Sequence, residues 1–352
     1  MNKTTLKLPN GDTVEAMAPV VVSASRSTDI PAYYAQWFIN RLQAGYVVWY
    51  NPFNNRPTYV SFKNCKVVVF WTKNPRPLIP LLGELDSRGI HYYFQHTMNN
   101  YDPERFEPNV PPIEKRIETF KELSSRIGKE RVVWRFDPLI LTPHLSIDDL
   151  VGRIQHIGNS IKGYTDKLVF SFIDINAYRK VQNNMVKETG LFTKDDVCRW
   201  EFTLHQMEEM AYRLAALRDN WASEGWNIEL ATCGEAFDLD KYGISHNRCI
   251  DAELMKRIFA HDKDLVHYLN YGELPKPRTL SLFGDEEPQP KPLTEKQLKD
   301  KGQRKECGCM VAKDIGMYNT CSHFCVYCYA NTSKELVAKN RQKHNVDSES
   351  II

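Results

Sequence analysis

Short apolar, β-branched runs alternate with longer stretches of helical period from residue 19 onward. The runs Pro19–Ser23, Val67–Trp71, Tyr92–His96, Val132–Phe136, Leu168–Ile173 and Ile228–Thr232 read as strands. Between them, Ala32–Ala44, Leu78–Arg88, Pro112–Ile127, Ile147–Ile161 and Lys194–Glu224 read as helices. The segment from Ile113 shows the period plainly: Ile113, Ile117 and Phe120 fall on one helical face and charges cover the rest. Strands that alternate with helices imply βαβ units and a parallel sheet. Six such units predict an α/β fold, a partial (β/α)6-type TIM barrel, with an open doubly wound sheet as the second choice. No G-x-G-x-x-G follows the first strand, which weighs against dinucleotide binding.

The pattern divides the chain into four parts. Residues 1–18 predict a β-hairpin around Asn10-Gly11, a peripheral decoration. Residues 19–272 carry the strand–helix rhythm. Residues 273–304 turn Pro-rich and then charge-rich, a linker composition that would wrap the outside of the barrel. Residues 305–352 hold a cysteine-rich segment, then a polar helix over Lys334–His344 and a tail expected to fray.

Composition changes this picture little. A net charge of +2 gives no global attraction to nucleic acid or acidic membranes. No run of about 18 apolar residues is present, so no membrane span is expected. The opening Met-Asn-Lys-Thr-Thr lacks an apolar h-region, which predicts a cytoplasmic protein whose cysteines are metal ligands or free thiols.

Chemistry concentrates in two places. Every predicted strand ends in polar residues, where parallel α/β proteins collect functional groups. These ends include Arg26 and Asp29, Lys73, Arg135 and Asp137, and Cys233 with Glu235. Any one of them reads equally as a cap or turn residue; six loaded ends together point to a site. The second place is Cys321-Ser-His-Phe-Cys325-Val-Tyr-Cys328. Three thiolates on one short loop suit three irons of a cubane [4Fe–4S] cluster and leave the fourth iron open. Cys307-Gly-Cys309 lies just upstream, so a zinc knuckle drawing four of these five thiols is the alternative. Cys307 and Cys309 have three readings: ligands to a second centre, closure of the fourth iron, or packing. His323, inside the loop, reads as a tuning hydrogen-bond donor or as a solvent-facing residue. Asp314 predicts an Asx turn, and Gly316 a left-handed backbone.

The C-x3-C-x2-C loop, with Tyr327 before its last cysteine, resembles the signature of the radical S-adenosylmethionine (SAM) enzymes. Together with Ser23-Ala-Ser-Arg-Ser-Thr-Asp-Ile-Pro31, Phe70-Trp-Thr-Lys-Asn-Pro75, Trp134-Arg-Phe-Asp-Pro138 and Cys307-Gly-Cys309, it resembles an uncharacterised bacterial family. That family is filed as a domain of unknown function and often labelled as related to spore photoproduct lyase. In the superfamily the cluster loop follows the first strand, whereas here it is C-terminal. The resemblance therefore implies a permuted barrel of the radical SAM kind.

What it implies about activity is a [4Fe–4S] cluster on Cys321, Cys325 and Cys328 that cleaves SAM to a 5′-deoxyadenosyl radical. Lys73, Arg135, Arg26 and Asp29 are then expected to bind SAM. Cys233 is expected to donate a hydrogen atom, beside Glu235 and Asp137 as further catalytic candidates. The substrate stays open, with a nucleobase, nucleotide or nucleic acid hinted at by the lyase, and a flavodoxin or ferredoxin is the expected reductant. Two other classes compete: a non-radical iron–sulfur electron carrier or redox sensor, and a zinc-stabilised nucleic-acid-binding protein. Leu280-Ser-Leu282-Phe283 resembles peptides that dock on the bacterial sliding clamp, though apolar residues in a linker more simply anchor it.

Overall fold

The computed structural model describes residues 2–275 and 291–352. The clamp-like Leu280–Phe283 lies outside the described residues, as does the middle of the predicted linker. The N-terminal hairpin forms as expected: β1 (Lys3–Lys7) pairs antiparallel with β2 (Thr13–Met17), and Gly11 takes the left-handed backbone its turn requires. It is not an isolated decoration. After β3 (Val21–Ala24), β4 (Tyr46–Tyr50) and β5 (Pro57–Ser61) form a second hairpin, and β2 pairs in parallel with β5. A lone two-stranded hairpin is marginal in water; the resulting four-stranded sheet buries Ala16, Val47 and Val60.

The main sheet holds β6 (Val67–Thr72), β7 (His91–Thr97), β8 (Val132–Leu139), β9 (Lys167–Phe172), β10 (Glu229–Thr232), β11 (Ile244–His246) and β12 (Lys313–Asp314), together with β3. Its order is β11-β10-β9-β8-β7-β6-β3-β12, and every pair is parallel. The six predicted strands are all present in sequential order. The two outer strands, three and two residues long, are too short to register as patterns.

Both faces of the sheet are covered, as a parallel sheet requires. Val22, Val68, Phe70, Phe94, Trp134 and Phe170 point to one face, beneath helices such as Ile113–Ile127 and Ile147–Ser160. Their chain neighbours Val21, Val67, Val69, Tyr93, Val133 and Val169 point to the other. There they pack on Ile250, Met255, Phe259 and Leu265 from helices Ala252–Ile258 and Lys263–Tyr271 and the turn before them.

Two expectations change, the extent of the long helix and the fraying of the tail. The long helix starts at Leu204, because Thr203 and Gln206 form a capping box there, and a further helix covers Arg179–Thr189. Residues 291–304 lie on the protein: Leu293 N–H donates to the Asn270 carbonyl at 2.7 Å, and Lys299 bridges to Met310. The tail after helix Lys334–Lys343 is packed. Trp37 Nε1 donates to the Ser348 carbonyl at 2.9 Å, Val48 N–H donates to Glu349, and Ile351 is buried.

Candidate functional site

The C-terminal ends of β3, β6, β8, β9 and β10 open on one cavity of about 380 Å³. The cysteine segment closes it. That placement follows from β12, which pairs in parallel with β3 through Val22 and Ser23. Asp314 then takes hydrogen bonds from Ser23 Oγ at 2.7 Å and from the Arg26 N–H at 2.9 Å. It also accepts from Gly316 N–H at 2.8 Å, the expected Asx turn. Gly316 does not adopt a left-handed backbone. Glycine is needed there for space, since a Cβ would lie 1.7 Å from Ser25 Oγ. The chain leaving the last strand is thus pressed onto the loop after the first strand.

From there the loop carries Cys321, Cys325 and Cys328 into the cavity. Phe324 turns it with a φ of 56°, uncommon for a side-chain-bearing residue. His323 is buried rather than solvent-facing: its Nε2 lies 2.8 Å from Asp29 Oδ2 and its Nδ1 lies 3.0 Å from the Tyr33 hydroxyl. Tyr34 donates to the Thr320 carbonyl at 2.6 Å, and Asn331 to the Cys321 carbonyl at 2.7 Å. Burial pushes the Cys321 and Cys325 thiols up, and neighbouring thiols on the loop push them further. Among the described residues no three His, Cys, Asp or Glu side chains converge on the coordination sphere of a single ion.

Asp29 is fully engaged. Its Oδ1 accepts from Thr72 Oγ1 at 2.7 Å and caps the short helix Ile30–Tyr33 through Ala32 N–H; its Oδ2 accepts from Lys73 N–H at 2.7 Å and meets His323. One carboxylate therefore ties two strand ends to the cysteine loop. Lys73 reaches beneath that loop, where its Nζ donates to Glu107 Oε1 and to the Tyr327 hydroxyl, each at 2.8 Å. Arg116 also donates to Glu107 (3.2 Å) and pairs with Asp102 (2.7 Å). Burial pushes Glu107 up, but Lys73 and Arg116 overcome it and hold the carboxyl at about 2.

On the facing wall Arg135 pairs with Asp137 and donates to Gln95 at 3.1 Å and to Cys249 Sγ at 3.0 Å. Asp137 also accepts from the Ser171 hydroxyl. Burial raises Glu235 to about 7, although its Oε1 accepts the Phe172 N–H at 2.9 Å. Arg26 lies over the Trp71 ring, 5.2 Å from its centroid, with Nη2 buried and unpartnered. Cys233 Sγ lies 3.3 Å from Cys249 Sγ. All seven strand-end candidates and the three loop cysteines line this cavity. Sequence reading missed Glu107, Arg116 and Cys249. Glu107 sits in an irregular segment without periodicity, and Cys249 carried no spacing signal beyond its distance from Cys233.

A family model described as Domain of unknown function (DUF1848) matches residues 21–330, from the first residue of β3 to just past Cys328. No curated protein and no solved structure matches the chain.

Proposed function

The chain belongs to the DUF1848 family, and on that footing we propose that it is a radical SAM enzyme built on a permuted partial barrel. The observation that carries this reading is the position of the three-cysteine loop. It lies over the C-terminal strand ends, against the loop that follows the first strand, although it comes last in the chain. A site is defined by its geometry and not by chain order. Cys321, Cys325 and Cys328 are the residues that would hold a [4Fe–4S] cluster. When bound, the cluster supplies an open iron for the amino and carboxylate groups of SAM and an electron for its cleavage.

The chain's own residues have distinct tasks in this reading. Asp29, through His323, holds the loop in register with β3 and β6. Lys73, Glu107, Arg116 and Asp102, with Tyr327, form a charge-balanced floor beneath it, so no unpaired charge is buried there. Lys73 is committed to that floor, and a SAM carboxylate would have to share it. Glu235, titrating at about 7, holds or releases a proton at the mouth near neutral pH. Trp71 under Arg26, and Tyr178 stacked on Tyr329 at 5.6 Å with Arg304 over it, offer flat faces. Such faces favour a planar group such as the adenine of SAM or a nucleobase-type substrate.

The test is anaerobic reconstitution followed by EPR of the reduced protein with and without SAM. We expect the cluster signal to change on adding SAM and 5′-deoxyadenosine to form. Cys321→Ala, Cys325→Ala or Cys328→Ala should each abolish the SAM-responsive signal, whereas Cys65→Ala and Cys198→Ala should not. A SAM-insensitive spectrum from a fully loaded protein would refute the reading.

A further inference from the structure

Four more thiols line the same cavity, and they come from three separate places in the chain. Cys233 follows β10, Cys249 follows β11, and Cys307 and Cys309 precede β12. They share one wall of the cavity with Arg26 and Arg135. Cys233 Sγ lies 3.3 Å from Cys249 Sγ, and Cys309 Sγ takes the N–H of Ile250, the residue next to Cys249, with Cys307 lining the same cavity. N–H groups are aimed at the sulfurs: Arg135 Nη1 and Asn247 Nδ2 at Cys249 (3.0 and 3.4 Å), and the Ile250 N–H at Cys309 (3.4 Å). Arg26, whose Nη2 is buried without a partner, lines the same cavity as these thiols.

We propose that Cys233, Cys249, Cys307 and Cys309 bind a second metal centre of thiophilic kind, iron in a cluster or a single zinc. A neutral thiol is a poor acceptor, so buried guanidinium and amide donors directed at sulfur are matched to thiolates. Four thiolates around a doubly charged core leave an excess of negative charge, which Arg26 and Arg135 face. Hydrophobic packing does not account for these donors, because leaving a buried guanidinium N–H such as that of Arg26 Nη2 unpartnered is costly. Among the described residues no three of these side chains converge on a single ion position, so binding would draw the thiols together. The separation of Cys233 and Cys249 is already close to the edge of about 3.8 Å expected for a tetrahedron with a Zn–S bond of about 2.3 Å. A cluster would spread them further. This assignment takes Cys233 out of the role of hydrogen-atom donor.

The experiment separates the two centres. A full-length variant with Cys321, Cys325 and Cys328 all changed to Ala is grown anaerobically with iron and zinc. Metal per chain is measured together with the visible and Mössbauer spectra. We expect about four irons with a brown cluster spectrum, or roughly one zinc with no visible band, to persist. Adding Cys307→Ala and Cys309→Ala should cut that metal at least about tenfold. Anaerobic wild-type protein gives a second readout that needs no variant to fold. Mass spectrometry should find the four thiols protected from alkylation until a chelator is added. A folded triple variant without metal would overturn the proposal, as would four freely alkylated thiols or a Cys233–Cys249 disulfide in wild-type protein. The SAM response scored on the loop cysteines fails or succeeds independently of these outcomes.

Discussion

Replacing Glu107 by Gln keeps the volume and most hydrogen bonds of the side chain but removes the one charge that Lys73 and Arg116 share. The group is nearly inaccessible, with 1 % of its side chain exposed, and the Arg116 side chain is equally buried. Its carboxyl is held at about 2 in the fold against an ordinary 4.5. At about 1.4 kcal/mol per tenfold change in proton affinity, that is on the order of 3 kcal/mol. Removing one partner of a buried ion pair costs about 3–5 kcal/mol, and the retained amide puts Glu107→Gln at the low end. With an unfolding entropy of roughly 2 cal/mol/K per residue, such a loss lowers Tm by about 4 °C for a chain of 352 residues. Because the folded pKa is depressed, the stabilisation is complete above 4.5 and lost as pH falls through about 2. The assay is thermal unfolding of wild type and Glu107→Gln at neutral pH and again near pH 3. The gap between the two proteins should be full at neutral pH and smaller at the acid point. Adding Lys73→Met should recover part of it, by relieving the unbalanced cation. A Glu107→Gln protein as stable as wild type, or a gap that widens in acid, would refute the charge-balance argument.

Other outcomes follow from the same coordinates. Gly316→Ala should displace the segment after β12, because its Cβ would lie 2.4 Å from Ser25 Cβ, an atom that cannot rotate away. Loss of stability by chemical denaturation, largely restored by Ser25→Gly, checks this; equal loss in the double variant would count against it. Glu235, raised to about 7, stabilises the fold fully below 4.5 and loses that contribution as pH rises through 7. The thermal midpoint of Glu235→Gln should therefore depend less on pH than that of wild type between about 5 and 8, and parallel curves would exclude it. His323→Ala removes the contact to Asp29 and should cost about 1.5–3 kcal/mol, as for hydrogen bonds to a charged group. It should also speed release of iron from reconstituted protein under chelator, whereas Lys334→Ala on the exposed helix should not.

The six main strands, their parallel order and the helix Ile113–Ile127 were legible because each rests on local signals: apolar runs a few residues long, a period of 3.6, and caps. The three loop cysteines were legible for the same reason, since their spacing lies within eight consecutive residues. The residues at the strand ends could be named without knowing their partners, because a parallel sheet brings its strand ends to one edge. The tertiary structure decided who pairs with whom. Asp29 and Lys73 read as free ligand groups in the sequence, and each turned out to be tied into the fold, one to His323 and the other to Glu107. No local pattern announces a contact between residues 29 and 323. Likewise β12 is two residues long and gains its meaning only from pairing with β3, and Gly316 is required by Ser25, nearly 300 residues away in the chain. The meeting of Cys233, Cys249, Cys307 and Cys309 along one cavity is the extreme case. A cysteine's neighbours in space follow from the register of the strands around it, which sequence spacing does not encode across βα units.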